Sequence, residues 1–235
     1  MADRPMLFSG PMVRALLAGT KTQTRRILKP QPEQFPIDDK GTLCEVGVIH
    51  VEGDALPRIH HGRVITAQKL KCAVGDRLWV REAHAILPRT AYRGSIGVGT
   101  IAQMEHPTDD YSAALFREGF DRSGRPLWRP SIHMPRWASR LTLTVTDVRV
   151  ERLQSVSEQD AWAEGCAKGE PDDVGGFFPA EEADPSGIGY RGWDNARDWY
   201  ADLWDHINGE GAWEANPWVA AYTFTVHQGN IDAPA

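Results

Sequence analysis

Cysteine is scarce in this 235-residue chain: Cys44, Cys72 and Cys166 are far apart and form no C-x-x-C pair. That pattern excludes a zinc knuckle of paired cysteines and offers no disulfide framework, so they read as free thiols. No apolar run approaches the roughly 20 residues that a helix needs to cross a bilayer. The opening Met1-Ala2-Asp3-Arg4-Pro5 lacks the apolar stretch and small-residue cleavage site of a signal peptide, so the expectation is a cytoplasmic protein with no membrane contact. An excess of positive charge is missing as well. The 26 Lys and Arg against 32 Asp and Glu give a net charge of -6, the wrong sign for a protein that coats nucleic acid nonspecifically. His60-His61 has no second ligand cluster at zinc-like spacing, so no metal or cofactor is expected and the pair reads as a polar turn.

What is present is a globular composition, 41% hydrophobic and 25% charged, at a length that suits one domain carrying long insertions. Charge is unevenly spread. Residues 1–30 hold Arg4, Arg14, Lys21, Arg25, Arg26 and Lys29 against Asp3 alone, whereas 157–214 is dominated by Asp and Glu. The expectation is one basic face on an acidic body, compatible with a compact nucleotide or RNA footprint; a solvated charged surface is the alternative.

Met12, Val13, Leu16 and Leu17 recur at helical spacing behind Ser9-Gly10-Pro11, predicting a helix over 11–18 with Ser9 as cap and Gly19 as stop. Thr20–Leu28 reads as a turn running into a strand. Residues 30–63 are rich in Pro, Gly and Asp, with a hairpin around Cys44–Val51 and a short strand near Val64–Gln68. Val74–Glu82 reads as a Gly-Asp turn and a half-buried strand, Leu78 and Val80 facing one way, Trp79 and Arg81 the other. No sustained period marks 88–130, a decorating insertion with short strands around 98–104 and 113–116. Trp128–Trp137 is an extended loop dense in aromatic and basic groups, either a ligand wall or a Trp-anchored structural loop. The alternation of Leu141, Leu143 and Val145 with threonines, continuing to Val150, is the clearest strand. Ser157 caps a helix running to Gly165, and 168–192 reads as a mobile acidic loop. Trp193, Ala196, Tyr200, Leu203, Trp204 and Ile207 share a helix face capped by Asp194, a stripe read as core. Val219–Val226 closes the chain as a strand. Together these elements predict an α+β fold of mostly antiparallel strands in one domain, with insertions at about 30–63, 88–130 and 168–192.

Gly19-Thr20-Lys21-Thr22-Gln23-Thr24-Arg25-Arg26 places an amine, hydroxyls and two guanidiniums within eight residues. In an extended segment Lys21, Gln23 and Arg25 share one face and Thr22, Thr24 and Arg26 the other, so a bend must join Lys21 to Thr24. The cluster is suited to gripping phosphate or polarising a carbonyl, and its glycine spacing is not that of a P-loop.

In its order of motifs the chain resembles the ASCH superfamily, marked by G-x-K-x-x-x-x-R, here Gly19, Lys21 and Arg26, and a later Gly-Asp turn and strand, here Gly75-Asp76-Arg77-Leu78-Trp79-Val80. The resemblance implies a PUA-like β-barrel with flanking helices, and a role in handling RNA or modified nucleosides without an obligate protein partner. The Trp128–Arg140 stretch is similar to long members encoded in bacteriophages and prophages, which implies the host cytoplasm. A small bacterial member is an N4-acetylcytidine amidohydrolase that uses a lysine and a threonine of the motif and a glutamate from the helix after the long central strand. Carried over, these are Lys21, Thr24 and Glu164: Lys21 as base, Thr24 as nucleophile, Glu164 as proton donor to the leaving amine, and Arg26 steadying the oxyanion. Gly19, Arg25, Arg26, Trp79, Glu82, Trp128, His133 and Trp137 are the candidate substrate-binding residues, the tryptophans as base-stacking surfaces. The alternatives are a module that binds RNA or a modified nucleotide through Lys21, Arg25 and Arg26 without turnover, and a ribonuclease. For Glu82 the competing reading is a surface charge at a strand end.

Overall fold

The computed structural model describes residues 1–29, 31, 46–49, 58–61, 68–97, 101–183 and 189–233. In chain order its elements are β1 (Asp3–Leu7), α1 (Gly10–Leu17), β2 (Gln23–Ile27), β3 (Val46–Ile49), β4 (Arg58–His61), β5 (Gln68–Lys69), β6 (Arg77–Arg81), β7 (His84–Pro88), β8 (Gln103–Glu105) and β9 (Ser112–Phe116). There follow β10 (Leu141–Arg152), α2 (Glu158–Ala163), β11 (Lys168–Pro171), β12 (Phe177–Pro179), β13 (Glu182–Ala183), β14 (Tyr190–Arg191), α3 (Ala196–Asn208) and β15 (Trp218–Gln228). The fold is mixed α+β with few helices. Strand pairing is mostly antiparallel, β1 with β6 being parallel, and among the described residues it does not close into a ring. None of the described helices is long and apolar enough to cross a membrane. The chain divides into two compact units, residues 1–19, 75–144 and 225–235 in the first and 20–74 and 145–224 in the second.

In the first unit, α1 buries Met12, Val13, Ala15 and Leu16, and Gly19 follows at φ +75°, a left-handed conformation that favours glycine. Ser9 occupies the cap position, but its side chain makes no capping hydrogen bond. β6 lies between β1 and β10. The expected half-buried strand is instead buried on both faces: Leu78, Trp79 and Val80 are all in the core. Residues 88–130, expected as a decoration, contribute a three-stranded antiparallel sheet ordered β7-β9-β8. Its Ala114 and Phe116 pack with Met134 and Ala138 and with the partly buried Met104 and Trp137.

In the second unit, β2 pairs with β15, Thr24 opposite Tyr222 and Arg26 opposite Ala220. α2 begins at Ser157, whose hydroxyl accepts from the Asp160 amide at 3.1 Å. α3 is capped by Asn195 rather than the expected Asp194, its side-chain oxygen accepting from Asp198 N at 2.9 Å. The Glu158 carboxylate also accepts from the Ala196 and Arg197 amides at 2.8 and 3.1 Å, a second cap, this one an anion, at the same helix start. The buried stripe of α3 is Ala196, Trp199, Tyr200 and Trp204. Ile207, expected on it, is 55% exposed, and Trp199 takes part instead.

The acidic 168–192 stretch, expected as a loop, folds over its described residues into two antiparallel pairs, β11 with β12 and β13 with β14. His60 and His61, expected in a polar turn, lie in β4 opposite Gly47 and Val46. The strand expected near Val64–Gln68 falls mostly outside the described residues, as does Cys44. Cys72 and Cys166 are buried free thiols, with burial pushing Cys166 up to about 12.

Replacing Asn195 by alanine removes one of two caps on α3. The expected loss is about 1 kcal/mol of unfolding free energy, read by urea denaturation, with an unchanged m-value.

Candidate functional site

The backbone brings two distant parts of the second unit together. Lys21 and Glu164 form an isolated antiparallel β-bridge, and Thr22 N donates to Ala163 O at 2.8 Å. Gly165, at φ +104°, turns the chain directly after Glu164. The Lys21 ammonium donates to Glu164 Oε2 at 2.8 Å and to the Glu164 carbonyl at 2.7 Å. Arg25 donates to the other carboxylate oxygen at 3.0 Å, and the Tyr200 hydroxyl approaches that same oxygen at 3.4 Å. Lys21 is 2% and Glu164 3% exposed.

Around this centre lies a second ring of charge. Arg25 donates to Glu151 at 2.9 Å and lies 3.3 Å from Asp160 Oδ2, its guanidinium 5.9 Å from the centre of the Tyr200 ring. Gln23 and Arg149 both donate to Asp160 Oδ1, at 2.8 and 2.9 Å. Gln23 and Arg25 thus project toward α2 from one face of β2, and strand alternation puts Thr24 and Arg26 on the other.

Burial works to raise the Glu164 carboxyl, but the charges of Lys21 and then Arg25 outweigh it and hold the group below the usual carboxylate range. For Lys21 burial prevails: despite the attraction of Glu164, its amine lies below the usual lysine value, with Arg26 and Arg25 adding repulsion. Burial also lowers Arg26, against the pull of Glu164. For Tyr200, burial and then the Glu164 charge drive the phenol well above its ordinary value. The result is a carboxylate fixed as an anion beside an amine whose proton is held less tightly than in water. Arg25 on the second oxygen keeps Glu164 compensated when that proton leaves.

Of the three residues carried over by resemblance, the structure joins Lys21 to Glu164. Thr24 is buried in β2, and among the described residues its hydroxyl makes no hydrogen bond, to those two or to any other group. The basic face expected over residues 1–30 is not a surface of unpaired cations. Arg4 meets Asp76, Arg14 meets Glu118, and Lys21 and Arg25 are buried on carboxylates, as buried charge requires. Glu151, Asp160 and Tyr200 are participants that the motif alone does not reveal. Tyr200 is the one hydroxyl in the aromatic stripe of α3, and that is its only signal.

The remaining candidates belong to the first unit. Trp79 is in the core of β6 with the Arg81 guanidinium 5.3 Å from its ring centre. Trp128 packs edge-on to Phe120 at 5.2 Å, and Trp137 edge-on to His106 at 4.5 Å. His133 is exposed in a 3₁₀ turn, Ser131–His133. Glu82, read alternatively as a surface charge, is 1% exposed and takes two 2.8 Å hydrogen bonds from Arg140. Burial nonetheless raises its carboxyl against the pull of Arg140. Among the described residues no three His, Cys, Asp or Glu side chains are grouped to hold a metal ion. No protein-family model, curated protein or solved structure matches the chain.

Removing Glu164 strands two buried cations, whereas removing Lys21 leaves Glu164 its contact with Arg25. Glu164→Leu is therefore expected to lose about 3–5 kcal/mol and Lys21→Met clearly less, by urea denaturation at pH 7. The Glu164 contribution is fully present above the unfolded carboxyl value of about 4.3 and is lost as pH falls through the lower folded value. Glu164→Gln thus flattens the acid limb of the stability profile.

Arg140→Met leaves Glu82 buried without its counter-charge. The expected cost is about 3–5 kcal/mol at pH 7. Because the Glu82 carboxyl is raised, and is raised further once Arg140 is gone, the deficit relative to the parent narrows as pH falls and the group takes a proton. Thermal unfolding from pH 7 to pH 5 reads this difference.

Proposed function

We propose that the chain is an ASCH-type hydrolase on a PUA-like fold, cleaving the amide of an acylated nucleobase or nucleoside such as N4-acetylcytidine. The observation that carries the reading is the Lys21–Glu164 pair: two motif residues 143 positions apart, buried, bridged through both backbone and side chains.

In the substrate complex the Thr24 side chain must reach Lys21; there neutral Lys21 accepts the proton of the Thr24 hydroxyl as Thr24 Oγ attacks the acyl carbonyl. The new C–O bond forms while the carbonyl π pair moves to oxygen, where Arg26 offsets the negative charge. Collapse breaks the C–N bond, and the Lys21 ammonium returns its proton to the departing amine. Water then attacks the acyl-threonine ester as Lys21 takes its proton, the C–Oγ bond breaks, and the Lys21 ammonium returns the proton to Thr24 Oγ, releasing the carboxylic acid. Glu164 takes a different part from the one implied by resemblance. A carboxyl held below the usual range is ionised at neutral pH and is no proton donor, so its place is to orient Lys21 and stabilise its ammonium form. Burial, with Arg26 and Arg25 adding repulsion, lowers the Lys21 amine and so favours the neutral form this role needs.

The pairing of Lys21 and Arg25 with carboxylates disfavours a phosphate-gripping role for them, which is why hydrolysis is preferred to binding without turnover. Incubation of the purified protein with N4-acetylcytidine, followed by chromatography, is expected to yield cytidine and acetate. Lys21→Ala and Thr24→Val are each expected to lower the rate by about 10²–10⁴. kcat/KM rises with pH through the depressed Lys21 value, and Glu164→Gln, which removes the anion that raises Lys21, moves that limb to lower pH. Binding of the nucleoside without product would sink the hydrolase reading in favour of a recognition module, and cut RNA in a parallel incubation would replace it with a ribonuclease.

A further inference from the structure

The first unit contains a cluster that the hydrolase reading leaves unused. His84 opens β7 and exchanges both backbone hydrogen bonds with Arg129, His84 N to Arg129 O at 3.2 Å and Arg129 N to His84 O at 2.7 Å. Residues paired in this way project their side chains to the same face. Arg81, at the end of β6, donates through its guanidinium to the Ile132 carbonyl, which ties the turn bearing His133 to the same neighbourhood. Arg129 and His133 are exposed.

Two buried nitrogens here have no hydrogen-bond partner, Arg81 Nε and His84 Nε2, and His84 is fully buried. Such groups are costly when left unmade, and native proteins ordinarily satisfy them with water or a ligand. His84 Nδ1 lies 3.2 Å from the Glu82 carbonyl oxygen, which can only accept. Nδ1 therefore carries the ring proton, and Nε2 is a lone pair awaiting a donor. Burial first, and then the charges of Arg129, Arg81 and His133, hold the imidazole below its ordinary value, with the Glu82 carbonyl working in the opposite direction. The side chains whose charge acts on this ring are all cationic. The neighbouring carboxylates are committed elsewhere, Glu82 to Arg140 and Glu118 to Arg14. Among the described residues, Arg129 and His133 have no carboxylate partner.

We propose that the end of β6, the start of β7 and the turn at 129–133 form a binding site for a phosphate monoester group, with Arg81, Arg129 and His133 supplying the charge and His84 Nε2 accepting the phosphate hydroxyl. Three cationic groups and an uncommitted Nε–H match an oxyanion. The Nε2 acceptor narrows the choice, because near neutral pH a monoester or inorganic phosphate retains a proton part of the time, with a second pKa of about 6. Sulfate and a phosphodiester carry none. Since His84 is closed to solvent, the site opens by rotation of the covering side chains as the anion enters. None of its residues belongs to the Lys21 cluster, so the proposal stands or falls apart from the hydrolase reading.

Isothermal titration of the full-length protein at pH 6.5 in chloride buffer, with inorganic phosphate, cytidine 5′-monophosphate, sulfate and a dinucleoside phosphodiester, tests it. Phosphate or the monophosphate is expected to bind at least about tenfold more tightly than sulfate and the diester. The stronger of the first two tells a free phosphate from a nucleotide source. Arg129→Ala, an exposed change expected to leave thermal unfolding unaltered, weakens binding at least about fivefold, and His84→Phe removes the preference over sulfate. Absence of phosphate binding up to about 10 mM, a value above the millimolar limit of weak specific binding, overturns the site. Equal affinity for sulfate, or binding untouched by Arg129→Ala, overturns it as well.

Discussion

A carboxylate cannot be taken out of water alone, and the second unit is arranged around one that has been. Glu164 ends α2 almost fully buried, at a desolvation cost of several kcal/mol unless opposite charge is in place. Lys21 meets one oxygen and Arg25 the other. Each solution creates a further demand, because Arg25 is buried too and requires Glu151 from β10 and Asp160 from α2. Tyr200 brings α3 to the same oxygen as Arg25. One buried anion thereby specifies how β2, β10, α2 and α3 meet, which apolar packing alone leaves less sharply defined.

Where a segment's burial follows its own period, the sequence is a sufficient guide. α1, β10, β15 and α2 appear within a residue or two of where apolar spacing and caps put them. The misses share a physical origin. β6 carries charged residues at both ends as a half-exposed strand does, yet Leu78, Trp79 and Val80 between them are buried on both faces. The hairpins of 168–192 are written in Gly, Asp and Pro, the residues of hairpin turns and of loops alike. The short strand expected around 113–116 is present as β9, although its buried run Ala113-Ala114-Leu115-Phe116 has neither helical nor alternating period.

Burial of ionisable groups is the least legible property, since it depends on partners that local pattern does not reach. Arg140 follows Glu82 by 58 residues and Glu164 follows Lys21 by 143. The first pair looks like two surface charges. The second was approachable because a motif resemblance named both of its members. Even then the resemblance did not supply Arg25 as a second cation on Glu164, which adds to the charge of Lys21 in holding the carboxyl below its usual range.

The chemical distinctness of the proposed site rests on the choice of lysine. Arg25 and Arg26 stay protonated at any pH a protein meets, and Glu164 is held ionised by its neighbours. Tyr200 is pushed away from ionisation. Among these groups Lys21 is the amine whose proton burial loosens, and loss of that proton leaves Arg25 still balancing the carboxylate. A static ion pair gains nothing from this, because an arginine, or two well-packed apolar side chains, fills such a place at least as stably. An amine buried where its proton is loosened, with a compensating cation already present for the moment it departs, is the arrangement that acid–base chemistry requires. That is the physical reason the proposal gives Lys21 and Glu164 a chemical part and not only a structural one.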